Sequence, residues 1–177
     1  MTFRENDVVM TQKSGEALVV VDLDDELLIV LTSNNNMETH LASELTMTSS
    51  AQSLKKHYSR ETFKALSSME KRAVMSIAVT DAGDHFSDEF SRYILDEQNI
   101  SFFVAFVDAA YQKLKTHTQF GSKAIFEELR WDRFRRGDAG QLFKINNKFT
   151  PDLGRLAMVI FAPDLEGFFH KRHRTVA

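Results

Sequence analysis

The hydrophobic pattern of this chain changes period once, near residue 49, and that change constrains the fold more than any other feature. Before it, residues 8–32 read as strands. ALVVVDL (17–23) and ELLIVLT (26–32) are rich in Val, Ile and Leu, and Asp24-Asp25 between them suits a hairpin turn. SNNNMETH (33–40) is polar and reads as a loop. After it the spacing is helical. In SRETFKALSSMEKRAVMSIAV (59–79), Phe63, Leu66, Met69, Ala73 and Ile77 recur every three or four residues behind Ser59 as N-cap. Strands followed by helices predict an α+β fold, mostly α-helical, with an N-terminal β-hairpin packed on a helical body.

TDAGDHFSDEF (80–90) breaks the first long helix, and Phe86, Phe90, Tyr93 and Ile94 begin another. Asn99 and Ser101 are expected to cap a helix whose Phe103, Phe106, Val107, Ala110 and Leu114 form a wide apolar face. A further helix starts near Ser122 and carries Ile125, Leu129 and Phe134. The last begins with Thr150 as N-cap, Pro151 in the first helical position and Asp152 against the positive end of the dipole. Its Leu153, Leu156, Ala157, Ile160 and Phe161 share one face, and Pro163 ends it. Three segments are expected: a β-hairpin region over 1–48, an acidic helical segment over 49–97 and a basic helical module over 98–177.

Fifteen Phe and 43% hydrophobic residues supply a real core, and the absence of Cys excludes disulfides, thiol catalysis and Cys-ligated metals. MTFRENDVVMTQ lacks the apolar stretch of a signal peptide, and ISFFVAFVDAAY (100–111) is too short to span a bilayer, so a cytoplasmic protein is expected. The net charge of −3 is unevenly spread. Residues 1–99 hold nine Lys/Arg against seventeen Asp/Glu, a balance of −8, and residues 100–177 hold thirteen against eight, a balance of +5. Such a bipolar chain serves two jobs or self-associates head to tail as a homo-oligomer.

Catalytic signatures are weak. Asp22 and Asp24 have the Asp-x-Asp spacing of aspartate-nucleophile phosphatases of the haloacid dehalogenase type. Glu26 stands where a small hydroxylated residue belongs, the chain turns straight back into ELLIVLT, and no βαβ succession follows. That leaves a metal-dependent phosphatase as a remote alternative to an acidic turn. Asp81, Asp84, His85, Asp88 and Glu89 lack the alternation of a calcium loop, and an acidic helix start explains them. His170 and His173 lack a third ligand. No enzyme activity, metal or cofactor is expected.

RWDRFRRGDAGQLFKINNKFT (130–150) gathers the positive charge. Three helices in succession and the turn-rich GDAGQLFKI give the module a winged-helix-like pattern, with the ribbon on phosphates and the Thr150 helix in a groove. That helix carries only Asp152 and Arg155 as charges, a poor set for reading bases. Trp131 and Phe168-Phe169 are read as core residues, and Asn146-Asn147 as turn groups or ligand contacts.

Residues 88–173 also carry, in order, FSRYILDEQNISFFVAFVDAAYQKL, GSKAIFEELRW, FKINNKF and RLAMVIFAPDLEGFFHKR. This series resembles a family of short uncharacterised proteins encoded in phages and prophages, most specifically at Arg130-Trp131, Asn146-Asn147 and Gly167-Phe168-Phe169. The resemblance implies a phage setting and no activity. The N-terminal half has no counterpart in that family. The expected function is a small non-enzymatic accessory or regulatory protein. It would bind nucleic acid through Arg130, Arg133, Arg135, Arg136, Lys144, Asn146, Asn147, Lys148, Arg155, Lys171 and Arg172. The alternative is a phage inhibitor of a host defence system that binds a host protein through the acidic N-terminal half.

Overall fold

Five antiparallel strands build the N-terminal sheet: β1 (Val8–Thr11), β2 (Ala17–Asp24), β3 (Leu27–Leu31), β4 (Met37–Leu41) and β5 (Leu45–Ser49). The computed structural model describes residues 2–12, 14, 16–24, 27–32, 36–135 and 147–170. The strands lie in the order β4-β3-β2-β1-β5, so β4 and β5 occupy opposite edges. Only a 3-10 turn, Ala42–Glu44, separates them in sequence. The four steps from Leu41 to Leu45 reach at most about 14 Å, whereas four strand spacings of a flat sheet span about 19 Å. The sheet must therefore curl, and bulges in the β1–β5 and β2–β3 ladders accompany the curl.

Inside the curl, Phe3, Val9, Leu18, Val20, Leu28, Val30 and Leu45 form one buried cluster. Val8 and Val19 alternate to the other face and are buried as well, where helix α3 (Ser68–Asp81) packs on β1 and β2. Two buried polar groups fasten these layers. Arg72 of α3 donates from Nη1 to the Thr32 carbonyl at 3.0 Å. The Asp7 carboxylate accepts from the Arg4 and Ala51 backbone N–H groups, both at 2.7 Å.

The expected hairpin is thus two strands of a larger sheet, and of the loop expected over 33–40, residues 37–40 belong to β4 while 33–35 lie outside the described residues. METHL has little intrinsic strand preference; its pairing with β3 imposes the conformation. The expected single helix over 59–79 is two, α2 (Arg60–Ala65) and α3 (Ser68–Asp81), with the short α1 (Ala51–Leu54) before them. Leu66 is extended, and Ser67 and Glu70 form a reciprocal capping box that starts α3 afresh. Ser59 caps α2 as expected, Ser50 caps α1 and Ser87 caps α4 (Asp88–Ile94). The next helix, α5 (Glu97–Leu114), starts earlier than Asn99 or Ser101. Asp96 supplies its cap by accepting from the Gln98 N–H at 3.0 Å, and the Asn99 side chain donates to the Tyr93 carbonyl.

The chain divides into two compact units, residues 1–100 and 101–177. In the second lie the remainder of α5, α6 (Ser122–Arg135), a 3-10 turn (Asn147–Phe149) and α7 (Thr150–Ile160). Its core is aromatic. Phe102 meets Phe126 edge-on at 5.8 Å, Phe106 stacks on Phe169 at 5.4 Å, and Phe168 is buried beside them. Phe149, not Thr150, occupies the N-cap of α7, because the preceding 3-10 turn runs directly into the helix. Thr150 is the first helical residue, buried, and its hydroxyl has no partner among the described residues. The ribbon expected over 137–145, which would complete a winged helix, lies outside the described residues.

Two tests follow from this packing. Burial alone pushes the Glu70 carboxyl up, but the Ser49 hydroxyl, the Ser67 N–H and hydroxyl and the nearby Lys71 outweigh it, so the pKa is lowered. A lowered folded-state pKa contributes stability above the unfolded value, and this is lost as pH falls through the folded one. Glu70→Gln should therefore lower Tm at neutral pH, with the gap to wild type closing as the solution is acidified below the ordinary carboxylate range. Gly154 is a close-approach position. A Cβ there would sit 3.1 Å from Phe169 Cγ and 3.2 Å from Ser122 Cβ. Gly154→Ala should destabilise the second unit by about 1–3 kcal/mol in denaturant unfolding.

Candidate nucleic-acid interface

α6 carries exposed basic and aromatic groups. Its Ile125 and Phe126 point into the core. Helical spacing places Lys123, Glu127, Arg130 and Trp131 together on another face. Trp131 is 57% exposed, which corrects its assignment to the core; Phe168 and Phe169 are buried as expected. Arg130 lies 3.5 Å from Glu127, one helical turn back, and its side chain is more than half exposed. Arg133 and Arg135 belong to the final turn of α6. Cations there complement the negative end of the helix dipole whether or not a partner is bound. At the other end, Lys113 of α5 pairs with Glu128 at 2.8 Å and holds α6 against its neighbour.

The residues around α7 divide differently. Lys148 is exposed, with its Nζ 5.9 Å from the centre of the Phe149 ring, and Asn147 opens the 3-10 turn before the helix. Arg155 is held by the buried Asp152 carboxylate one turn earlier. On α7 itself only Pro151 and Val159 are exposed. The apolar stripe, Gly154 and Asp152 bury the helix almost all round. A helix so enclosed offers a DNA groove few side chains. The structure thus sets Arg130 and Trp131 side by side on α6, whereas Arg155 is committed to Asp152 on α7. Arg136, Lys144, Asn146, Lys171 and Arg172 lie outside the described residues.

The N-terminal carboxylates build no comparable centre. Asp22 is exposed and accepts from its neighbour's Leu23 N–H at 2.8 Å; Asp24 ends β2. The sheet they belong to is antiparallel throughout, unlike the parallel sheet that the phosphatase comparison requires. Asp81 pairs with Lys55 at 2.9 Å, and Asp88 and Glu89 sit in the first turn of α4. Among the described residues no three His, Asp or Glu side chains are placed to hold a metal ion. Nor, among them, is any helix long and apolar enough to cross a membrane.

The Asp152–Arg155 pair makes a sharp prediction. Removing Arg155 strips this charge partner from the buried Asp152 carboxylate, and breaking a buried pair costs up to about 3–5 kcal/mol. Arg155→Ala should therefore lower Tm by many degrees, whereas Arg130→Ala should change stability by no more than about 0.5 kcal/mol. Thermal unfolding of both variants followed by circular dichroism separates the structural arginine from the available one. No protein-family model, curated protein or solved structure matches this chain.

Proposed function

We propose that this is a non-enzymatic accessory protein that binds single-stranded nucleic acid through the C-terminal half of α6. The observation that carries the reading is Trp131, an indole left 57% exposed on a helix that ends in arginines. An indole with more than half its surface in water forgoes part of the burial its area offers. Bases stack on such faces, while neighbouring arginines neutralise the phosphates. The enclosure of α7 favours single strands over a duplex groove. The resemblance to short phage-encoded proteins supports a setting in which such accessory proteins act.

Trp131 is the sole tryptophan of the chain, so its fluorescence reports the contact directly. Adding oligothymidylate should quench it, and the log–log salt dependence of binding should have a slope of about −0.7 per phosphate neutralised. Trp131→Ala should weaken binding by about 1–3 kcal/mol with Tm unchanged. Unchanged fluorescence and mobility at about 10 µM protein in low salt, where non-specific binders already associate, would overturn the reading.

A second reading has its own observation. Asp84, Asp88 and Glu89 are exposed within six residues of the N-terminal unit, a patch suited to a basic face of a host protein. Capture of a host protein that survives nuclease treatment and fails after Asp84→Asn, Asp88→Asn and Glu89→Gln would favour it over the first.

A further inference from the structure

β4 is a sheet edge with a self-complementary sequence, and we propose that it pairs antiparallel with β4 of a second copy to make a two-fold dimer. The edge is open and regularly paired. Among the described residues β4 pairs only with β3, and the ladder between them has no register shift. Met37–Leu41 contains none of the Pro, Lys or bulges with which proteins usually blunt an edge. Met37 is 73% exposed and Leu41 44%.

The hydrogen-bond phase of the β3–β4 ladder decides which groups are free to pair. Thr32 N–H donates to the Asn36 carbonyl at 2.9 Å, which makes 32/36 a hydrogen-bonded pair. Alternation along an antiparallel ladder then gives 30/38 and 28/40 the same character. The backbone N–H and C=O groups of Met37, Thr39 and Leu41 therefore point away from β3, toward the open edge. The Leu41 N–H already donates to Glu44 at 3.3 Å, as an outward-pointing group would. A second β4 must match outward groups with outward groups, which leaves few registers.

Of these, the register centred on Thr39 is the one that complements. It sets Met37 opposite Leu41 of the second copy, Glu38 opposite His40, and Thr39 opposite Thr39 on the axis, and symmetry repeats each pair. Opposite charges, apolar partners and Thr–Thr neighbours are the favourable cross-strand combinations. Sliding by two residues one way puts Glu38 against Glu38, and sliding the other way puts His40 against His40. Within one copy Glu38 and His40 already lie 3.2 Å apart, so the two copies bring together two carboxylates and two imidazoles in alternation. On the outer face, Met37 and Leu41 sit across from Leu31 and Leu27, so pairing extends an apolar strip that one copy leaves exposed. Self-complementarity about one axis is the signature of an isologous contact. A five-residue strand pair falls at the small end of interfaces, so the dissociation constant belongs in the micromolar range.

Sedimentation equilibrium of the full chain from about 1 to about 500 µM, a span that brackets micromolar affinity, reads the association. A monomer–dimer equilibrium is expected. Thr39→Pro removes an outward N–H and leaves the β3 ladder intact, so it should raise the dissociation constant at least about tenfold with an unchanged far-UV spectrum. His40→Glu should weaken self-association about tenfold, since it sets a carboxylate against Glu38 twice, and Glu38→Lys should weaken it by removing the carboxylate that faces His40. An equimolar mixture of those two variants sets the introduced Lys against the introduced Glu and His40 against Glu38, and should recover the wild-type dimer mass. The mixing experiment keeps the test decisive if Thr39→Pro fails to fold. A monomer at every concentration overturns the proposal. So do larger head-to-tail oligomers, which would join β4 to β5, a dimer indifferent to Thr39→Pro, or a mixture that does not recover.

Discussion

The short link between β4 and β5 governs the N-terminal unit. Three residues, Ala42–Glu44, join the two edges of a five-stranded sheet, and a flat sheet is too wide for them. The resulting curl gives the sheet a concave side, filled by the Phe3–Leu45 cluster, and a convex side that must be covered or left wet. α3 covers the part over β1 and β2, and the buried Arg72 fixes it there by donating to the Thr32 carbonyl at the end of β3. Burial lowers the pKa of this guanidinium, while the Glu97 and Asp96 carboxylates pull the other way. It stays charged because arginine begins from so high a value. Beyond the reach of α3, the outer side of β3 and β4 stays exposed.

The second unit solves a different problem with aromatic rings. Its central element is α7, which is enclosed because Gly154 lets Phe169 and Ser122 approach closely and because Arg155 neutralises the buried Asp152. Enclosing α7 leaves only Pro151 and Val159 of that helix exposed. On α6, by contrast, Arg130 and Trp131 are adjacent and both more than half exposed. Arg155 thus holds the core while Arg130 faces outward, and only the contacts distinguish the two.

Much of this was legible in the sequence, and the failures have identifiable causes. The change from strand to helix at residue 49 is visible because packing on a core obeys the two periods everywhere. Phe63, Met69 and Ala73 are all buried although the helix breaks between them, so periodicity alone hides the break. The break was nonetheless written in Ser67-Ser68-Met69-Glu70, a capping box inside an apparently continuous helix. β4 was hidden more deeply: METHL owes its conformation to β3. Thr150 has the chemistry of a cap but loses the position to Phe149 because the chain enters α7 already coiled. Trp131 was assigned to the core by residue type, yet its neighbours Arg130 and Asp132 already placed it in a polar stretch.

The charge asymmetry follows the structural division. Ile100 and Ser101 are uncharged, so the balance of −8 belongs to the first unit and that of +5 to the second. A net charge of −3 for the whole chain therefore says little about affinity for phosphates. At about 0.1 M salt, charges are screened beyond roughly 10 Å, so on the proposed function a strand at α6 would respond to the cations within that distance and not to the charge of the whole chain. The attraction would come from counterions released by the phosphates actually touched. The salt slope of binding would therefore count local contacts, which is why a chain with a negative total can still be read as a phosphate binder.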